Sequence, residues 1–224
     1  MPGFDDKVNV LGTLISAVNM DTAIEGVSLL IKGDRTGNYI CVTGVHGVME
    51  SFRNPSIKKI HNNAAMCVPD GMPMTWLGRI YGNKNMDRVY GPDFMNALLK
   101  KASTEGWKNF FYGGKEGVAE ELSGRMQKSL PGLKVTGTYS PPFRPLTKDE
   151  EESIVATINK EPPDIMWVGI STPKQERQMW DFKDKIRAKV MIGVGAAFDF
   201  LTGRLPQTPR WIQRAGLEWL FRTI

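Results

Sequence analysis

Asp70 closes an apolar run, Ala64-Ala65-Met66-Cys67-Val68, and is held between Pro69 and Gly71. A carboxylate at the exposed end of a buried strand, partly desolvated in a cleft, can take a proton from a substrate hydroxyl. The plainer alternative is a helix N-cap, because a helical pattern follows. Thr43 ends a second apolar run, Tyr39–Thr43, where its hydroxyl can hold a substrate oxygen or close a turn. His46 follows shortly, as an acid or base or as an ordinary first-turn residue of a helix. Arg88, before Val89-Tyr90-Gly91-Pro92, can grip a phosphate through two parallel N–H bonds or sit solvated on the surface. Gln175, in Ser171-Thr172-Pro173-Lys174-Gln175, falls at a strand-to-helix junction, where its amide can bind diphosphate or sugar hydroxyls or cap the helix. Asp199, between Phe198 and Phe200, can accept from a base or sugar or be a buried, hydrogen-bonded acid.

Two glycine turns accompany these residues. Gly113-Gly114-Lys115-Glu116-Gly117 joins a strand to a helix, where close backbone approach and a helix N-terminus favour phosphate; tight-turn packing is the alternative. Gly193-Val194-Gly195 has only the first half of a dinucleotide fingerprint. No Asp-x-Asp pair occurs anywhere, so the paired acids that hold a divalent metal on a nucleotide diphosphate are missing. Two histidines and two cysteines, Cys41 and Cys67 in separate apolar runs, are too few for a metal cluster or a disulfide framework. Neither a metal nor another cofactor is expected.

The 224 residues suit one domain with a sizeable core. Hydrophobic residues make up 41% and charged residues 24%, an ordinary globular balance. The net charge of +5 and pI near 9.2 favour anionic ligands or anionic lipid. Without aromatics interleaved among Arg and Lys, nucleic acid is not an expected partner. No stretch reaches the ~18 apolar residues of a membrane span, and the first residues lack a secretory pattern. The expected location is cytoplasmic, peripheral to the inner face of the cell membrane.

Short apolar runs alternate with helix-length patterns. Strands are expected at Tyr39–Thr43, Met66–Val68, Asn109–Tyr112, Lys134–Thr138, Ile165–Gly169 and Lys189–Gly193, with a strand or hairpin over Val8–Val18. Helices are expected over Thr22–Lys32 capped by Asp21, Gly47–Asn62 with a break at Pro55, and Met72–Tyr81. Further helices are expected from Pro92 to Thr104, and over Lys115–Ser129, Lys148–Lys160, Lys174–Arg187 and Pro209–Ile224. Such alternation predicts an α/β fold: a Rossmann-like, doubly wound, mostly parallel sheet with helices on both faces. Ligands then bind outside the carboxyl ends of the strands. The segments that follow those ends carry Thr43-Gly44, Asp70, Gly113-Gly114, Ser171-Thr172 and Gly195.

The segments VTGVHGVMESFRNP, VPDGMPMTW, RVYGPDFMNALL, FFYGGKEGVAEEL, GISTPKQE, GVGAAFDFLTGRLPQTPRW and GLEWLFR together resemble the WecG/TagA/CpsF family of bacterial glycosyltransferases. The resemblance runs from Val8 to the last residues, and the shared order and spacing make it specific. It implies an inverting, metal-independent transferase that moves a sugar from a UDP donor to a polyprenyl-diphosphate-linked acceptor at the cytoplasmic membrane face, in cell-surface polysaccharide synthesis. By the same resemblance Asp70 is the base and Thr43 the active-site threonine. Arg88 and Gln175 match polar residues of the donor or acceptor site, and Asp199 the nucleotide-side acid. The family often has Asn two positions after the threonine; this chain has Val45, then His46, which leaves the donor sugar open and gives His46 a binding role. Members commonly continue into a basic tail, whereas this sequence stops at Ile224. Trp211, Ile212, Trp219, Leu220 and Phe221 are expected to face lipid, a second subunit of a homo-oligomer, or the domain itself. Two rivals remain at this point: a nucleotide-sugar-binding or scaffold protein without turnover, and an NAD(P)-dependent oxidoreductase.

Overall fold

The computed structural model describes residues 6–209 and residue 212. The chain opens with an antiparallel hairpin, β1 (Lys7–Val10) and β2 (Thr13–Ser16). Its turn places Leu11 and Gly12 both at positive φ, 53° and 86°, as a tight hairpin requires. Helix α1 (Met20–Lys32) is capped by Asn19 rather than Asp21. Asn19 accepts the Thr22 amide, and the Thr22 hydroxyl accepts the Asn19 amide at 2.9 Å. This reciprocal box satisfies two first-turn donors at once.

β3 (Asn38–Thr43) is followed by two helices, α2 (Val45–Arg53) and α3 (Pro55–Asn62), broken at Pro55 as the sequence implies. β4 (Met66–Pro69), α4 (Met72–Ile80) and α5 (Gly91–Glu105) come next. β5 (Lys108–Gly113) leads to α6 (Val118–Ser129), which begins after the expected Lys115. Gly114 and Gly117 stand at φ of 75° and 79°, outside the right-handed helical region. β6 (Lys134–Tyr139), α7 (Lys148–Lys160) and β7 (Ile165–Gly169) occupy their expected spans. α8 (Lys174–Phe182) stops short of the expected Arg187, because Lys185 and Ile186 both turn back to donate to the Phe182 carbonyl. β8 (Val190–Gly193) is followed by a short helix not anticipated from the sequence, α9 (Ala197–Leu201). The expected amphipathic segment Pro209–Ile224 lies, apart from Pro209 and Ile212, outside the described residues.

Six strands form one all-parallel sheet in the order β4-β3-β8-β7-β5-β6. Alternate residues supply two cores. Ile40, Met66, Phe111, Trp167 and Ile192 pack against α1, α5, α6 and α9. Cys41, Cys67, Phe110, Met166 and Met191 pack against the hairpin and α3, α7 and α8. Burial on both faces is the condition of a parallel sheet. The one indole at its centre, Trp167, donates to Asn109 Oδ1 at 3.0 Å, so no buried N–H is left over there. This is the doubly wound α/β architecture the alternation implies. β3 and β8 lie side by side, yet the helices that follow them, α2 and α9, cover opposite faces. Their loops diverge and open a crevice at the carboxyl end of the sheet.

Candidate active site

A cavity of about 530 Å³ fills that crevice. Its walls come from the ends of four strands: Gly44 to Gly47 after β3, Asp70 to Pro73 after β4, Ser171, Thr172 and Gln175 after β7, and Val194 to Ala197 after β8. Tyr90, Pro92 and Phe200 add apolar surface. Among the described residues, Asp70 is the one acidic residue in that lining.

The Asp70 amide donates to the Thr43 carbonyl at 3.0 Å, which extends the β3–β4 pairing past the strand end. The cap of α4 is Gly71, at φ 88°, and no side chain caps this helix. The Asp70 carboxylate is therefore not the N-cap, and the residue lines the cavity. Gly44 permits this close approach, since a Cβ there would stand 2.9 Å from the Asp70 carbonyl oxygen. Arg88 Nε lies 4.0 Å from Asp70 Oδ1. The guanidinium covers the Tyr90 ring at 4.3 Å, a cation–π contact that fixes its plane beside the carboxylate.

His46 is exposed in the first turn of α2 and lines the cavity. No side chain caps α2, so its first-turn amides are available to an anion at the cavity wall. Gln175 is buried and lines the cavity. Its Oε1 accepts the Gly195 amide at 2.9 Å, and its Nε2 donates to Glu176 Oε1 at 3.1 Å. Gly193 belongs to the packing of α8: a Cβ there would meet Met179 at 2.9 Å and Gln175 at 3.1 Å.

Other expected residues lie elsewhere. Thr43 is buried outside the cavity lining, with its methyl next to Gly47 of α2. Gly113 and Gly114 are outside the cavity lining. The Gly114 amide already donates to Gly169 O at 2.9 Å, and a Cβ on Gly113 would stand 2.4 Å from the same oxygen. These two glycines let β5 and its turn press onto β7. Asp199 sits half-buried on α9 and is not part of the lining, although Ala197 and Phe200 are.

Two contributors, Glu176 and His61, escaped the sequence reading, whereas Ser171 stands among the strand-end residues expected at the crevice. Ser171 lines the cavity at φ 101°, a strained value for a side-chain-bearing residue. Glu176 and His61 are buried behind the wall. Burial lowers the His61 pKa from its usual value, and the Glu176 charge opposes that shift. Among the described residues, no group of three or more His, Cys, Asp or Glu is placed to hold a metal ion, and no helix is long and apolar enough to cross a membrane.

Three curated relatives carry the name N-acetylglucosaminyldiphosphoundecaprenol N-acetyl-beta-D-mannosaminyltransferase. The one from Bacillus spizizenii is 27% identical over 84% of this chain and 71% of its own length. The Bacillus subtilis one is 28% identical over 70% of this chain, which spans only 59% of that relative. The Staphylococcus aureus one is 23% identical over 97% of this chain and 84% of its own length. Among solved structures, a substrate-binding periplasmic protein from Ralstonia solanacearum aligns at 12% identity and a TM-score of 0.31, over 84% of this chain and 53% of that one. The model of the WecG/TagA/CpsF glycosyl transferase family matches residues 8–224, nearly the whole sequence, and the chain belongs to that family of glycosyl transferases.

Proposed function

We propose that this chain moves a sugar, N-acetylmannosamine or another hexose or uronic acid, from a UDP donor to a polyprenyl-diphosphate-linked sugar, with inversion and without a metal. The observation that carries the reading is Asp70: an acid in the cavity wall that does not cap the following helix and is flanked by Arg88. The acceptor hydroxyl attacks the anomeric carbon as Asp70 takes its proton, and UDP leaves from the opposite face. The first-turn amides of α2 and the Arg88 guanidinium offset the charge on the departing diphosphate. The names of the three relatives support an N-acetylmannosamine donor sugar and an N-acetylglucosamine-diphosphoundecaprenol acceptor. A lipid-linked acceptor supports work at the cytoplasmic membrane face.

The test is UDP release from a panel of UDP-sugars in detergent and EDTA, with and without a short-chain polyprenyl-diphosphate-sugar. Acceptor-dependent release from one donor is expected, undiminished by EDTA. UDP binding without release from any donor would favour a binding role instead.

A further inference from the structure

Behind the α2 wall lies a group of buried polar side chains outside the cavity lining. Thr43, His61 and Glu176 are each 1% exposed. Thr43 Oγ1, His61 Nε2 and Glu176 Oε2 have no hydrogen-bond partner among the described residues. They approach one another from three elements, β3, α3 and α8. A Cβ on Gly47 would stand 3.1 Å from Thr43 Cγ2 and 3.5 Å from His61 Nε2, so the missing side chain of Gly47 leaves room between them. Glu176 is near enough to act electrostatically on His61 and on Cys41, which shares the Thr43 face of β3.

The proton inventory of this group is one-sided. His61 Nδ1 is 3.1 Å from the Ile57 carbonyl, which can only accept, and 2.9 Å from Ser51 Oγ. Nδ1 therefore carries the ring proton, and Nε2 presents a lone pair. Glu176 Oε2 is a second acceptor, and the Thr43 hydroxyl is a donor. Two acceptors and one donor, all buried and unpartnered in one neighbourhood, suit a water molecule, which gives two protons and takes one.

We propose that Thr43, His61 and Glu176 hold one buried water, and that through it Glu176 and His61 act as positioning residues for the cavity wall. Glu176 Oε1 accepts from Thr172 Oγ1 at 2.9 Å and from Gln175 Nε2 at 3.1 Å, and both donors belong to lining residues. On the other side, the Thr43 carbonyl holds the Asp70 amide. The water thus couples the strand end that carries Asp70 to the helix that carries Gln175. Thr43 works from behind the wall. The effect on turnover rests on the transfer reading above; the water itself does not.

Two measurements separate these claims. Nitrogen NMR of the full chain reads the His61 tautomer without any substrate: the Nδ1–H form is expected, and an Nε2–H or doubly protonated ring would overturn the proposal. A crystal structure that orders internal waters should show density within hydrogen-bond reach of all three atoms; dry, direct contact between Glu176 and His61 would overturn it. In turnover, Glu176→Ala should lower kcat/KM about 10²-fold, the scale of a misplaced cavity wall. Glu176→Gln still accepts from Thr172 and can donate to the same water, so it should recover most of that loss. A Gln variant as impaired as the Ala variant would show that the negative charge is what matters, and the positioning role would fall. If the wild-type chain shows no transfer, the transfer reading fails, while the tautomer and the density still decide the water.

Discussion

Gln175 reaches across the floor of the cavity to the Gly195 amide, 2.9 Å away, and so ties the start of α8 to the turn after β8. An amide suits this position because it accepts at one end and donates at the other. A carboxylate would place a second acid against Glu176, and an alkyl chain would orphan the Gly195 N–H.

Replacing Gln175 should therefore be costly in a graded way. Gln175→Ala should lose about 1–3 kcal/mol of unfolding free energy, the usual result of a buried donor left unpaired. Gln175→Glu should be worse than Ala at pH 8 and recover on acidification, since two neighbouring carboxylates can share a proton. Urea unfolding of both variants at two pH values gives the ranking. Equal stability of Glu and wild type at pH 8 would contradict the buried contact.

Asp70→Asn should reduce turnover by roughly 10²–10⁴-fold, the contribution of a positioned base. UDP affinity, measured by calorimetry, should stay close to wild type. Near-normal turnover would remove Asp70 from the base role. Arg88→Lys retains a charge but loses the planar face over Tyr90, so it too should turn over more slowly than wild type.

Gly113→Ala separates packing from phosphate binding. The position combines φ of 141° with the 2.4 Å approach to Gly169 O. The variant should lose more than ~1 kcal/mol of stability, since strain of roughly 1–3 kcal/mol comes with such a backbone conformation. Its folded fraction should bind UDP normally. Unchanged stability with selectively weakened UDP binding would return this turn to the ligand site.

His61 makes stability depend on pH. Its folded pKa is lowered by burial, so the unfolded chain binds a proton that the folded chain refuses. The contribution is present above the unfolded value of about 6.5, and it is lost as pH falls from there through the lower folded value. Unfolding free energy should fall between pH 7.5 and 5.5, and His61→Gln should flatten that slope. An identical slope in the variant would assign the effect to other groups.

Much of this molecule was determined locally by its sequence. Thr147 and Glu150 form a capping box that starts α7 where the pattern places it, and Pro55 divides α2 from α3. The position of Asp70 at a strand end follows from an apolar run stopped by Pro-Asp-Gly, and the carboxyl-end rule for parallel sheets then points it at a crevice. These are short-range matters of side-chain periodicity and turn chemistry. Tertiary structure alone decided which strand ends share that crevice. Because β8 is inserted between β3 and β7, Gly195 comes within reach of Gln175, while the Gly113 turn is carried one strand further out and used for packing. The parity of β3 likewise sets Thr43 beside Gly47 and His61, outside the cavity lining. Alternation along a strand divides residues between two faces, but it does not name the face or the neighbouring strand. Both depend on pairings between segments distant in the chain, as between Asn38 and Val190.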